Sequence, residues 1–409
     1  MRRYRGPLLA GIALTIAAWA FVSFAHVFQY WLYGDARLLE NWGNWIADHQ
    51  VPYRDFSVEY PPLSLPTFVV PVYLRLLAGH HGTWYFWFRI ELLVIALLLV
   101  VTMTWALAGL GASKRHAYAA LAIAGVAPAL LGPNALFHYD YWPALLAAAA
   151  VASLVARRGV LACAFAAAGA AAKVFPIVLV PIALYELWRR GRWRAVGEGA
   201  GAALAVLAVT IGPFAIVAPH GVWWAIRREA TRPLEIESVG ATLLTAAHEL
   251  FGLHLHVVAA AASHGLAGSA PDAVAQASRV LTVLSLAGVY WLYTRSERTG
   301  DDLAVACASA VTAYVVFAKV FSPQYLLWLV PLVPLVGGRR GVRASVLLVV
   351  ILGVTQVFEP YKYADYWQHL TTWVTWTVIL RDALVVALLG VLVWPMRARR
   401  LDLTSPERP

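Results

Sequence analysis

The sequence predicts an all-α polytopic membrane protein, and three observations carry that prediction. Apolar residues make up 61% of the 409 and charged residues only 13%, about half the charged share of a soluble domain. Apolar runs approaching the ~20 residues that a bilayer core of about 30 Å requires recur from end to end. Lysine and arginine outnumber aspartate and glutamate 32 to 22, for a formal net charge of +10. They gather in short clusters between the apolar runs, which is the positive-inside pattern of cytoplasmic loops and not a nucleic-acid surface. Cys163 and Cys307 both lie inside apolar runs and read as small hydrophobes, with no disulfide framework or cysteine metal site.

The first span covers about 7–28. Its charged start resembles a signal peptide, but aromatics follow where a small-residue cleavage site would stand, so it reads as retained. A polar loop, 29–60, comes next, then 61–78, which carries four prolines and Arg75 in barely enough length to cross. Further apolar runs lie at about 86–111, 117–131, 141–156, 159–172, 175–188, 195–218, 277–294, 302–318, 324–337, 344–358 and 372–394. If 61–78 dips in without crossing, every basic cluster from Lys114-Arg115 to Arg397–Arg400 falls on the same side as Arg2, Arg3 and Arg5. About twelve spans then make one domain, 1–395, in the plasma membrane, with both termini and a disordered tail, 396–409, in the cytoplasm. Gly197, Gly199 and Gly201 read as small residues that permit close helix packing.

In this topology the unusual polar residues collect outside. The stretch from Tyr33 to Leu65 holds five of the 22 acidic residues. After Asp35, the residues Leu38, Leu39, Trp42, Trp45 and Ile46 recur at helical spacing, so an amphipathic helix lies on the membrane until Pro52 ends it. Two readings of Asp35 stand side by side. It caps the helix, or the helix amides hold it ionised as a general base at the lipid–water boundary. In PYRDFSVEYPP, Arg54, Asp55 and Glu59 fall within six residues between prolines. They form either a solvated turn or a set of groups that orients sugar hydroxyls.

Lys173 and Lys319 each interrupt an apolar run and precede aromatic and proline residues. Each reads as a snorkelling anchor or as a cation for a lipid phosphate. Asn134, His138 and Asp140 share one outer turn and read as candidate substrate-binding residues; the His-x-Asp pair either binds metal or ties the turn together, and it lacks the further ligands a metal site needs. The segment 219–276 forms the second large outer portion. Its histidines read as ordinary loop residues, and Arg227, Arg228, Arg232, Glu229, Glu235 and Glu237 read as a solvated charged face or as a grip on an anionic acceptor or donor phosphate. No Walker, GxSxG or HExxH motif occurs.

These residues together resemble the GT-C membrane glycosyltransferases, and within them family 87, the polyprenol-phosphate-mannose-dependent α-mannosyltransferases. The resemblance lies in the loop Asp35, the PYRDF element leading into EYPP, the GPN turn, KVFP at 173–176 and SPQYLLWLVP at 322–331. It implies a GT-C-like bundle and an inverting transferase that uses no metal or cofactor. A hexose or pentose, mannose foremost, would move from a polyprenyl-phosphate-sugar donor to a lipid or glycan acceptor of the bacterial cell envelope. Asp35 matches the catalytic base. Glu59, Tyr60 and Pro61 match a cavity-shaping element, and Lys173, Gln324 and Tyr325 match polar cavity positions. No counterpart of the family's catalytic-loop histidine stands out within 219–276. A transporter or lipid-linked-sugar flippase is the rival reading. It calls for polar groups through the whole bilayer depth, whereas here they gather at one face. A non-catalytic partner of envelope assembly is a third reading.

Overall fold

A computed structural model describes residues 2–25, 35–260, 263–297 and 299–394. The helices are α1 (Arg5–Phe24), α2 (Asp35–Ala47), α3 (Pro66–Leu77), α4 (Trp84–Gly109), α5 (Lys114–Leu131), α6 (Pro133–Leu136), α7 (Tyr141–Val155), α8 (Gly159–Ala172) and α9 (Val180–Arg189). They continue with α10 (Trp193–Val217), α11 (Pro219–Thr231), α12 (Val239–Phe251), α13 (Ser269–Arg295), α14 (Gly300–Phe317), α15 (Gly338–Phe358), α16 (Tyr363–His369) and α17 (Thr372–Val393). Among the described residues seven, α1, α4, α10, α13, α14, α15 and α17, are long and apolar enough to cross a membrane. The chain is a helical membrane protein. Shorter apolar helices, α7, α8 and the 3-10 stretch Pro323–Leu335, fill the space between the long ones.

Some helices begin where the sequence offers a side-chain cap. Thr83 accepts the Phe86 amide before α4, Ser113 accepts the His116 amide before α5, and Thr299 and Asp302 form a capping box before α14. α1 runs antiparallel to α4 and parallel to α5. The Tyr4 hydroxyl donates to the Ala112 carbonyl at 2.7 Å, while a Cβ at Gly11 would lie 3.0 Å from Val100 and from Leu121. Other contacts gather the basic clusters at the Tyr4 end. His116 Nε2 meets the Pro334 carbonyl at 2.8 Å, and Asp301 accepts the Gly337 amide at 2.6 Å. Buried Glu186 accepts from Arg189, Arg190 and the Tyr293 hydroxyl.

The sequence pattern leaves out one element. Three short strands, β1 (Leu234–Glu235), β2 (His256–Ala260) and β3 (Ser263–Ala267), form an antiparallel sheet in the order β1-β3-β2. Two residues are too few for an alternation to show in sequence, so β1 is visible only through its pairing of Leu234 with Leu266. Of the three glycines read as packing residues at the start of α10, Gly199 faces Leu187 and Cys163 closely, while Gly197 and Gly201 face open space. The tail 396–409 and residues 26–34 of the first loop and its approach lie outside the described residues.

The expected amphipathic helix is α2. It turns Ala36, Leu39, Trp42 and Gly43 inward and leaves Arg37 and Asn41 exposed. It rests on α3 at one point of very close approach, where a Cβ at Gly43 would lie 2.1 Å from the Phe68 carbonyl oxygen. Gly43→Ala therefore drives α2 off α3 at a cost of about 1–3 kcal/mol. Thermal unfolding of the purified protein in detergent should show the loss. Gly353→Ala, where a Cβ meets nothing within 4 Å, should show none.

Candidate functional site

At the end of the bundle opposite Tyr4, helices stop short and prolines begin the next turns. Pro62 and Pro323 open 3-10 turns, Pro133 opens α6 and Pro176 lies at the start of the 3-10 turn Phe175–Leu179. Proline suits a first helical turn because its missing N–H is unpaired there anyway. These broken segments enclose a cavity of about 700 Å³.

Residues given a site role in the sequence line it, among them Glu59, Tyr60, Pro61, Asn134, His138, Lys173, Lys319, Gln324 and Tyr325. Ala36 lines it as well, one residue beyond Asp35 at the head of α2; the Asp35 side chain lies outside the described residues. Ile211 of α10 and Val222, Ala225 and Ile226 of α11 add an apolar wall.

The centre of the polar wall is a buried ion pair. Lys173 follows the last residue of α8, where the chain turns extended, and its Nζ donates to Asp140 Oδ1 at 2.7 Å. The same oxygen accepts the Trp328 indole N–H at 2.6 Å. Trp328 is stacked between Phe175 and Tyr325, with centroids 4.1 and 3.9 Å away. Around the ammonium stand the rings of Tyr60, Tyr139, Tyr325 and Trp328, at 4.9–5.8 Å. Aromatic faces favour a cation at this range. Asp140 is fully buried behind the cavity wall, so its part in the site is to hold Lys173.

Lys319 differs. Its Nζ donates to the carbonyls of Ala230 and Arg232, at 3.0 and 2.6 Å. Among the described lysine and arginine side chains of the cavity it alone has no carboxylate within ion-pair distance. Burial, with the Arg279 charge nearby, pushes its ammonium down to about 8.

Arg54 and Asp55 do not reach the cavity. They pair with each other on the surface at 2.9 Å, and Asp55 also accepts the Val51 amide. Those two bonds hold its carboxyl down to about 2. Glu59 points the other way and takes Arg228 Nε at 2.6 Å, which ties the 52–62 loop to α11. The Tyr53 hydroxyl closes that loop on the Tyr60 carbonyl.

The expected solvated charged face dissolves into two parts. Arg227 stays outward and Arg228 turns to Glu59, but Glu235 and Glu237 are only 3% and 2% exposed and line the cavity with Arg232 and Glu229. The cause is β1, whose pairing with β3 pulls the LEIES segment inward. Arg232 lies 2.9 Å from Glu229 and 3.6 Å from Glu235. Sequence reasoning also passes over Glu359 and Tyr363, which line the same wall, and Arg381 and Asp382, which support it from within α17. That last pair interrupts an apolar run just as the two lysines do, and the same rule finds it.

His138 and Asp140 serve different partners. His138 and Asn134 both stand beside Glu359 on the cavity wall. Among the described residues no group of three or more His, Cys, Asp or Glu side chains is placed to hold a metal ion. His264, expected in a loop, is in β3 and stacks on Trp367 at 3.9 Å.

No known family model matches the chain, and no curated protein is similar to it in sequence.

Removing one member of a buried pair leaves the other charge uncompensated, at about 3–5 kcal/mol. Asp140→Asn should lower thermal stability in detergent by that order. Adding Lys173→Met should restore much of the loss, because the double variant has no charge left to strand. Equal and additive losses in the two single variants would show that the pair is not coupled.

Proposed function

We propose that the chain is a membrane glycosyltransferase of the GT-C type that moves a sugar, mannose foremost, from a polyprenyl-phosphate-sugar donor to a cell-envelope lipid or glycan acceptor. The observation that carries this reading is the cavity itself. It joins a polar wall of carboxyls, amides and lysines to an apolar wall formed by α10 and α11. A lipid-linked sugar has the same two halves. The polyprenyl chain runs along Ile211, Val222 and Ile226, and the phosphate and sugar turn toward the polar wall.

The antiparallel order of α1 and α4 supports reading 61–78 as a segment that starts and ends at one face. It supports in turn about twelve passes with both termini cytoplasmic and the cavity at the outer face. The concentration of polar cavity residues at that end favours an enzyme over a translocation path.

In this mechanism Asp35, at the head of α2, accepts the proton of the acceptor hydroxyl. The oxygen attacks the anomeric carbon from the face opposite the phosphate. The carbon–oxygen bond to the phosphate breaks with its electron pair, and the sugar leaves with inverted configuration. Polyprenyl phosphate departs as an anion and needs no general acid. Lys319 supplies the positive charge that receives it, while Lys173, already neutralised by Asp140, holds the aromatic floor.

Purified protein in nanodiscs, given radiolabelled polyprenyl-phosphate mannose and a bacterial lipid-glycan extract, should transfer label. Asp35→Asn should cut transfer by about 100-fold or more while donor binding stays. Full activity in the Asn variant would move the base to another residue, and absence of both transfer and donor binding in the wild type would sink the transferase reading. The Lys319 ammonium is charged below about 8 and loses its proton above it. kcat/KM for the donor should therefore fall as pH rises through that value, and Lys319→Met should be low at every pH. An unchanged profile in the Met variant would remove Lys319 from the phosphate.

A further inference from the structure

We propose that Glu237 and Glu359 form the sugar-recognition part of the cavity wall and grip hydroxyls of the donor's hexose ring. This assignment deepens the transferase reading above and rests on it.

Three segments far apart in the chain converge at this part of the wall. Asn134 and His138 come from the 132–140 turn, Glu237 from the turn before α12, and Glu359 from the turn after α15, and all four line the cavity. Glu237 is 2% exposed, and its Oε1 has no hydrogen-bond partner. A buried carboxylate oxygen without a donor is costly and calls for a ligand or a proton.

The way Glu237 is held makes the point sharper. Arg381, fully buried in α17, donates from its guanidinium to the backbone carbonyl of Glu237 at 2.8 Å. Its Nε lies 2.6 Å from Asp382, and its guanidinium sits 4.2 Å over the Phe321 ring and 5.6 Å from that of Phe358. Asp382 in turn accepts from the Thr242 hydroxyl of α12. Ser238, the next residue, caps α12 through the Ala241 amide. The buried cation thus fixes the backbone on which Glu237 stands and leaves its carboxylate to the cavity. Arg381 and Asp382 are positioning residues.

The charged groups around the two carboxyls fit a hydroxyl and not an anion. Glu237 faces Glu359, Arg381, Glu235 and Asp382, and Glu359 faces His138, Arg381 and Asn134. Burial raises both carboxyls above the usual range, and their mutual repulsion adds to the rise at Glu237. A pair that retains a proton offers an O–H donor beside several acceptor oxygens, and a sugar hydroxyl both donates and accepts. A phosphate offers acceptors only, so this part of the wall disfavours it.

The test compares two probes on the full-length protein in nanodiscs, polyprenyl phosphate and polyprenyl-phosphate mannose. Wild type should bind the mannosyl lipid more tightly. Glu237→Gln and Glu359→Gln should keep their affinity for polyprenyl phosphate within about twofold and lose about tenfold or more of the preference for the mannosyl lipid, as a site built for hydroxyls does when its partners are changed. Glu237→Asp, which keeps the charge and shortens the reach, should lose part of it. Full preference in both glutamine variants overturns the assignment. So does equal loss of both lipids, which would make the carboxyls part of the scaffold. Wild type that binds neither lipid fails earlier and takes the transferase reading with it.

Discussion

A single carboxylate oxygen organises the cavity. Asp140 Oδ1 receives both the Lys173 ammonium and the Trp328 indole, and so brings together the 132–140 turn, the end of α8 and the 3-10 stretch after α14. None of these segments would stay at membrane depth alone. Lysine carries a charge that hydrocarbon does not tolerate, and aspartate carries its opposite. Their pairing and the surrounding rings remove that cost together. Once the knot is tied, Tyr60, Tyr139 and Tyr325 can close around it, and the 52–62 loop is carried in by Tyr60. The polar wall follows from this one contact.

The cavity exists because helices stop short here. At the basic end the helices meet by ordinary caps and tight turns. At the other end, prolines at the first positions of successive turns set the backbone direction without requiring a donor, and 3-10 geometry replaces regular helix. Each interrupted segment leaves space that its neighbours do not fill. Within that space the acidic residues face inward on one side, and the aliphatic residues of α10 and α11 face inward on the other.

Much of this was legible in the residue pattern, for reasons that differ by element. The α2 periodicity is local, and a local pattern survives folding. Lys173 and Lys319 stood out because an ionisable residue inside an apolar run has few uses. Asp140 looked like a ligand of substrate and proves to be a partner of Lys173, since its thirty-three-residue separation from that partner leaves no trace in either neighbourhood. Arg54 and Asp55 satisfy each other at adjacent positions, which removes them from the site. Glu235 and Glu237 were illegible as cavity groups. Their inward turn depends on a two-residue strand whose partner lies some thirty residues further on, and a charged run with arginines nearby looks the same whether solvated or buried. The count of spans depends on whether 61–78 crosses, and sequence composition does not answer that; the contacts of α1 with α4 and α5 bear on it directly.

Those same contacts have a bearing on how the protein is made. The inner face of α1, around Gly11 and Thr15, is covered by Leu121 and Gly125 of α5, about 110 residues later in the chain. At ~5–20 residues per second of synthesis, α1 waits in lipid for roughly 5–20 s before its partner emerges. A polar side chain on that face would be stranded meanwhile, yet Thr15 returns its hydroxyl to the Gly11 carbonyl of its own helix at 2.8 Å. The first helix is thus self-sufficient as a lone insert, and assembly can proceed in the order of translation, with α1 as a waiting surface on which α4 and then α5 are laid.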